Sequence, residues 1–307
     1  MDPLEDVLAL LDTCVQLSAD LVAGGDWAVD FAPPPGVKFV AVRRGSCLLE
    51  VDGVPERAEL TKGDSFLLTR GCAFTLRSGA DVPAVAAGPL FARAEEGVAR
   101  AGDGDEVRVL GGRFSFGARA QELLLDGLPP VVHLPAGTGG ARSVGWALDA
   151  IDEELRHRRM GAVRVAEHLA MVMLVHALRS HLASGDNSGP GLLTGLADPA
   201  VAAALACVHR DPAHQWTVAE LARAGSVSRT VLAERFKQAV GRGPHEYLTA
   251  WRIELAAKRL RESEATLAAI AHAVGYGSDS ALSTAFKRVM GTSPREYRGR
   301  RESGATV

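Results

Sequence analysis

Two sets of side chains stand out for the chemistry their types and spacing allow. They are Arg229, Thr230, Ala233, Glu234 and Lys237, and, fifty residues on, Asp279, Ser280, Ser283, Thr284 and Lys287. In each set the members recur as neighbours do along one face of an α-helix. The faces offer hydrogen-bond donors, acceptors and cations, but no activated nucleophile and no paired acid and base. Short polar side chains on a helix can reach base edges in a DNA groove, and cations beside them can reach phosphates. The chemistry implied is recognition of a polyanion.

The elements that must position these faces are themselves duplicated. A twelve-residue string occurs twice at an offset of fifty: Phe236-Lys237, Gly241, Pro244, Glu246-Tyr247, then Phe286-Lys287, Gly291, Pro294, Glu296-Tyr297. Upstream of each lies an Ala-rich amphipathic segment opened by Thr217 or Thr266. Thr217 and Glu220 have the spacing of a capping box, which predicts a helix running to about Ala224. Gly225-Ser226-Val227 then makes a turn, Ser228 caps the next helix, and Leu232 with Phe236 anchors it inward. The second unit repeats the plan, with Gly275-Tyr276-Gly277 as the turn, Ser278 as the cap, and Leu282 with Phe286 as anchors. Between the units, residues 247–262 form a bridging helix carrying Arg252, Lys258, Arg259 and Arg261.

Two helix-turn-helix units joined by a helix, ending in Gly275-Tyr276…Phe286-Lys287…Gly291…Pro294…Tyr297-Arg298, resemble the AraC/XylS family of bacterial transcription regulators. The resemblance covers residues 198–300. It departs at Leu282, where members usually carry an aromatic, a change expected to alter core packing rather than function. It implies that Thr230, Ala233, Glu234, Asp279, Ser280, Ser283 and Thr284 face bases. Arg229 joins them as the candidate guanine reader, and Glu234 can accept from a cytosine amino group. Ser228, Arg235, Lys237, Arg252, Ser278, Lys287 and Arg288 are expected at phosphates, which would make binding salt-dependent. Double-stranded DNA is the partner implied, with activation as the output and RNA polymerase as a further partner.

The rest of the chain reads differently. Residues 1–197 hold 18 Lys+Arg against 26 Asp+Glu, whereas residues 198–307 hold 16 against 11, so only the C-terminal third is basic. Short apolar and alternating runs between Gly, Pro and Asp turns dominate residues 20–115 and predict an antiparallel sandwich or small barrel. Helical periodicity covers residues 4–17, and two long helices fall within 143–182. The second is apolar on much of its circumference, which suits either a face that meets a partner subunit or a helix packed on its own barrel. The fold class expected is α+β. Residues 1–183 form a cupin-like β-barrel with a helical extension that senses and dimerises, and 184–197 form a flexible linker. Residues 198–300 form an all-α DNA-binding domain of two helix-turn-helix units, and 301–307 form a tail.

The barrel region resembles the cupin-type sensor of one branch of the same family through Asp2-Pro3-Leu4, Gly24-Gly25-Asp26-Trp27 and Gly63-Asp64. Catalytic cupins hold a metal through histidines on neighbouring strands. Here those strands carry Val40, Val42 and Phe74, and His133 is the first histidine of the chain. His157, His168, His176 and His181 have no i,i+4 pair among them, so neither metal, cofactor nor catalytic residue is expected. A cupin enzyme fused to a DNA-binding module is the competing reading, and a ligandless barrel that only dimerises is a third. The four cysteines lie apart without a CxxC. Cys47 sits in an apolar strand as a small core residue, while Cys72, beside Arg70, is the candidate for a redox-responsive alternative. No run approaches the roughly 18–20 apolar residues that span a bilayer, and the acidic start is unlike a signal peptide, so a cytoplasmic protein with no membrane partner is expected. The expectation is a homodimeric, sequence-specific regulator controlled by a small effector.

Overall fold

The computed structural model describes every residue except 1, 11–13, 80, 116–123, 126, 158, 185–188 and 305–307. The chain divides into two compact units, one of Thr13–Gly117 with Leu128–Ser188, the other of Met1–Asp12, Ala118–Gly127 and Gly189–Val307.

The first unit is built on two sheets. The larger runs β10 (Val98–Gly102), β2 (Asp20–Gly24), β11 (Val107–Ser115), β4 (Val37–Arg44), β7 (Ser65–Leu68) and β12 (Val131–Leu134), with β1 (Cys14–Leu17) also paired to β11. The smaller runs β6 (Val54–Thr61), β5 (Ser46–Val51), β8 (Phe74–Arg77), β3 (Ala28–Phe31) and β9 (Val85–Ala86). Most neighbours are antiparallel; β10 with β2 and β3 with β9 are parallel. Alternation drives this arrangement: in β5 the residues Cys47, Leu49 and Val51 are buried while those between them are less so. Trp27, Leu21, Phe66, Leu68, Leu76 and Val109 close one core between the sheets. Val40, Val42 and Phe74, at the strand positions where a metal-binding cupin would need histidines, are 2%, 1% and 3% exposed within it. Each such side chain contributes roughly 1.5–3 kcal/mol by its burial. Asp64, after Gly63, ties the end of β6 to the segment beyond β12. Burial pushes its carboxyl up, but N–H donation from Ala136 at 2.6 Å and Thr61 at 2.7 Å outweighs this and holds it below the usual range. Helices α2 (Ala87–Ala92), α3 (Gly139–His157) and α4 (Ala162–Ser184) complete the unit.

The helical periodicity over 4–17 is corrected here. Helix α1 (Pro3–Leu10) stops short of the end of that range, and Cys14–Leu17 is a strand in register with Ser115, Phe114, Arg113 and Gly112 of β11. Pairing with β11 overrides the local helical pattern, because the partner strand supplies backbone hydrogen bonds and packing that a short isolated helical segment lacks.

The second unit is helical: α1 (Pro3–Leu10), α5 (Leu192–Ala197), α6 (Pro199–Arg210), α7 (Val218–Ala224), α8 (Arg229–Val240), α9 (Pro244–Glu262), α10 (Leu267–Ala273), α11 (Asp279–Met290) and α12 (Pro294–Gly304). Helix α1 buries Pro3, Leu4, Val7 and Leu10 and packs on α6 and α9 of this unit. Its C-terminal carbonyl at Ala9 accepts from Lys258 at 2.8 Å. The segment expected as linker contains α5, whose Leu192 and Leu193 are each 2% exposed; its part at 185–188 lies outside the described residues. Residues 301–304, expected as tail, continue α12.

Candidate nucleic-acid interface

Each reader is a short helix followed by a capped second helix. Thr217 and Glu220 close the capping box: the Thr217 N–H donates to the Glu220 carboxylate at 2.8 Å, and the Glu220 N–H to the Thr217 hydroxyl at 3.2 Å. With the Thr217 hydroxyl and His214 also against it, that carboxyl is held down to about 2, the Thr217 N–H being the largest cause. Ser228 and Ser278 cap α8 and α11, accepting from the Val231 and Ala281 N–H groups at 3.3 and 3.1 Å. Both second helices end on a glycine in the left-handed region, Gly241 at φ 82° and Gly291 at φ 72°. A side chain there would be strained, which explains why the repeat keeps glycine.

The repeated Phe and Tyr join the second helix of each reader to the helix that follows it. Phe236 meets Tyr247 edge-on with ring centroids 5.8 Å apart, and Phe286 meets Tyr297 at 5.3 Å, the rings inclined by 69° and 74°. Leu232, Phe236, Leu282 and Phe286 are fully buried. Leu282 therefore fills the core position where an aromatic is usual. With these anchors inside, Arg229, Thr230, Glu234 and Lys237 of α8 are exposed and Ala233 is half-buried. On α11, Asp279, Ser280, Thr284 and Lys287 are exposed and Ser283 is half-buried. The structure thus brings each predicted set onto one open helix face.

Some of these groups are already engaged. The Asp279 carboxylate accepts from the Ser280 N–H at 2.8 Å, and the Thr284 hydroxyl donates to the Ser280 carbonyl at 3.0 Å. Arg235 is exposed but lies 3.8 Å from Asp198, the cap of α6. Lys287 and Arg288 are exposed.

Arg252 requires a correction. It was expected at a phosphate, but it is 7% exposed and its guanidinium donates to the carbonyls of Pro212 at 2.7 Å, His214 at 2.9 Å and Ala213 at 3.4 Å. Its charge also lies over the Tyr276 ring at 5.7 Å. Arg252 is a strut that ties the loop before α7 to α9. Its helical position gave no sign of this, because the carbonyls come from a loop about forty residues upstream. Arg242, on the turn between α8 and α9, and His245, in the first turn of α9, line a groove of about 640 Å³ with Arg288. In the sequence their one signal is an arginine and a histidine three residues apart at the exit of the first repeat, Gly241-Arg242-Gly243-Pro244-His245.

In the sheet-rich unit, Cys47 is 4% exposed and burial pushes its thiol up to about 12, as suits a core residue. Cys72 is half-buried against the core. Arg70, the cation expected to activate it, directs its guanidinium to the Leu128 carbonyl at 3.4 Å. Among the described residues no three His, Cys, Asp or Glu side chains converge as a ligand set, and no helix is long and apolar enough to cross a membrane.

A cupin domain family matches residues 2–183, and a helix-turn-helix domain family matches residues 221–300. The chain is 63% identical to an AraC-like transcription regulator of Streptomyces lividans and 62% identical to one of Streptomyces antibioticus. Each alignment covers 97% of this chain and 98% of the relative. Among solved structures, the DNA-binding domain of AdpA in complex with a target DNA is 29% identical over 35% of this chain and 96% of that one, with a TM-score of 0.34.

Proposed function

We propose a mode of action for a chain that belongs to the AraC-like transcription regulators and couples a cupin domain to a DNA-binding domain. It reads DNA with α8 and α11 in successive major grooves about 10–10.5 bp apart. Arg229, Thr230, Ala233 and Glu234 face the bases of one groove, and Asp279, Ser280, Ser283 and Thr284 those of the next. Ser228, Ser278, Lys237, Lys287, Arg235 and Arg288 meet phosphates, joined by Arg242 and His245. The observation that carries this reading is the pair of matched scaffolds, Phe236 on Tyr247 and Phe286 on Tyr297, presenting four base-facing positions each that differ throughout, while Lys237 and Lys287 repeat. A conserved frame with unlike faces suits two different half-sites.

The barrel supplies control rather than catalysis, binding a small effector that shifts the placement of the readers. A cleft opening on its strands supports this over a barrel filled by its own side chains. The chain works in the cytoplasm as a homodimer. In support, Trp146 on α3, Met160 after it, and Val163, Val165 and Val172 on α4 are exposed, an apolar set that a second copy would cover. The output is activation through RNA polymerase. A gel shift of the full chain on the upstream region of its own locus tests the central claim. Salt-sensitive, sequence-selective retardation is expected, and retardation that random competitor DNA abolishes equally would defeat it.

A further inference from the structure

Three adjacent strands place a row of polar residues side by side. Gln16 of β1 is in register with Arg113 of β11, and Arg113 with Lys38 of β4. Arg113 and Lys38 are thus like charges directly opposite one another in an antiparallel sheet, an arrangement that costs stability. Their partners among the described residues are neutral: Lys38 donates to the Ser18 hydroxyl at 3.0 Å and Arg113 to the Gln16 amide oxygen at 2.7 Å. Among the described residues the one charge acting on the Lys38 ammonium is that of Arg113. Burial first, then the Arg113 charge, pushes the Lys38 ammonium down to about 8, so it remains largely protonated at neutral pH.

The space beside these cations is apolar. A cleft of about 390 Å³ is lined by Leu17, Phe31, Pro33 and Phe74 together with Lys38 and Arg113. An adjoining cleft of about 380 Å³ shares Ser18, Phe31 and Lys38 and extends to Phe91. Small-molecule sites have this character, mostly apolar walls with a few placed polar groups. Two cations without an anion, half-buried and facing an apolar hollow, leave one charge type missing. A carboxylate has two oxygens that accept from an ammonium and a guanidinium together, and these charge-assisted bonds are the strong ones.

We propose that this cleft is the effector site and that it takes a small carboxylic acid with an apolar body, its carboxylate held between Lys38 and Arg113 and its body against Phe31, Phe74 and Pro33. The proposal rests on the reading of the barrel as an effector-binding domain, and it adds the chemical class of the ligand. An anion there removes the repulsion between the two strands and links β1, β11 and β4.

The test is calorimetric titration of the full-length protein with 4-phenylbutyrate and octanoate, each beside its uncharged amide. The acids are expected to bind and the amides to bind about tenfold more weakly or worse. Lys38→Met and Arg113→Gln should each erase that preference; Arg113→Gln serves if Lys38→Met fails to fold. Amides binding as tightly as acids, failure of both acids at millimolar concentration, or an undiminished preference in a folded variant would each overturn the proposal. Gel shifts with and without 4-phenylbutyrate separate the two readings. An acid that binds at the cleft yet leaves DNA affinity unchanged upholds the site and defeats effector control.

Discussion

The hydroxyl of Tyr247 donates to Nε2 of His209 at 2.7 Å, while Nδ1 of the same ring lies 3.2 Å from the Asp6 carboxylate. The carboxylate can only accept, so Nδ1 carries the proton and Nε2 is left as the acceptor. His209 is 3% exposed, and burial pushes its pKa down from 6.5 to about 3. The repeat tyrosine thus has a second task in the first copy, fixing a neutral histidine against α1 and the Trp251 ring, 4.1 Å away.

This buried neutral histidine makes the stability of the helical unit depend on pH. Its folded pKa is depressed, so the unfolded chain takes up the proton first. The contribution is complete above about pH 6.5 and is lost as pH falls toward 3. Urea denaturation should show stability declining through that window by up to about 1.4 kcal/mol per pH unit from this group. His209→Gln should flatten the decline relative to the native protein; parallel curves would refute the assignment. Tyr247→Phe, which leaves Nε2 without a donor, should cost about 1–3 kcal/mol at pH 7.

Arg252 and Lys237 should separate cleanly. Removing the Arg252 guanidinium orphans carbonyls of Pro212, Ala213 and His214, so Arg252→Ala should lower stability by about 3 kcal/mol. The salt dependence of DNA binding by the folded fraction should be unchanged. Lys237→Ala should leave the melting curve nearly unmoved and reduce the slope of log K against log salt by about 1. Salt titrations of binding, paired with thermal melts, check both.

Base reading is assigned most sharply to Arg229, the one long bidentate donor on either face. Arg229→Ala should weaken binding by about 1–3 kcal/mol at one operator position and relax discrimination there. Competition among operators varied base by base measures this. A uniform loss across all sequences would move Arg229 to the phosphate group.

The apolar set on α3 and α4 predicts a dimer. Val163→Glu with Val165→Glu should shift the mass measured by light scattering from two chains toward one, with the melting temperature retained because both positions are exposed. An unchanged mass would place the dimer contact elsewhere.

Much of the DNA-binding domain is legible in the sequence because its signals are local. Capping residues, turn glycines and i,i+4 anchors act within a few residues, and duplication presented each of them twice. The ends of α7, α9 and both reader helices follow from them. Cys47 was readable as core from the apolar strand that carries it. The strand at Cys14–Leu17 was not, because its identity depends on β11, about a hundred residues away. Arg242 and His245 were overlooked since a groove is a property of several elements together.

By itself, then, the sequence determined the family, the two reader helices and which of their faces point outward, since periodicity and capping are short-range. Tertiary structure decided what each charge does. It turned Arg252 inward onto carbonyls from another loop, joined His209 to Tyr247 and Asp6, and set Arg113 opposite Lys38 beside an apolar cleft. A cation's role is fixed by which acceptors lie within about 3 Å of it, and for these residues the acceptors come from distant parts of the chain.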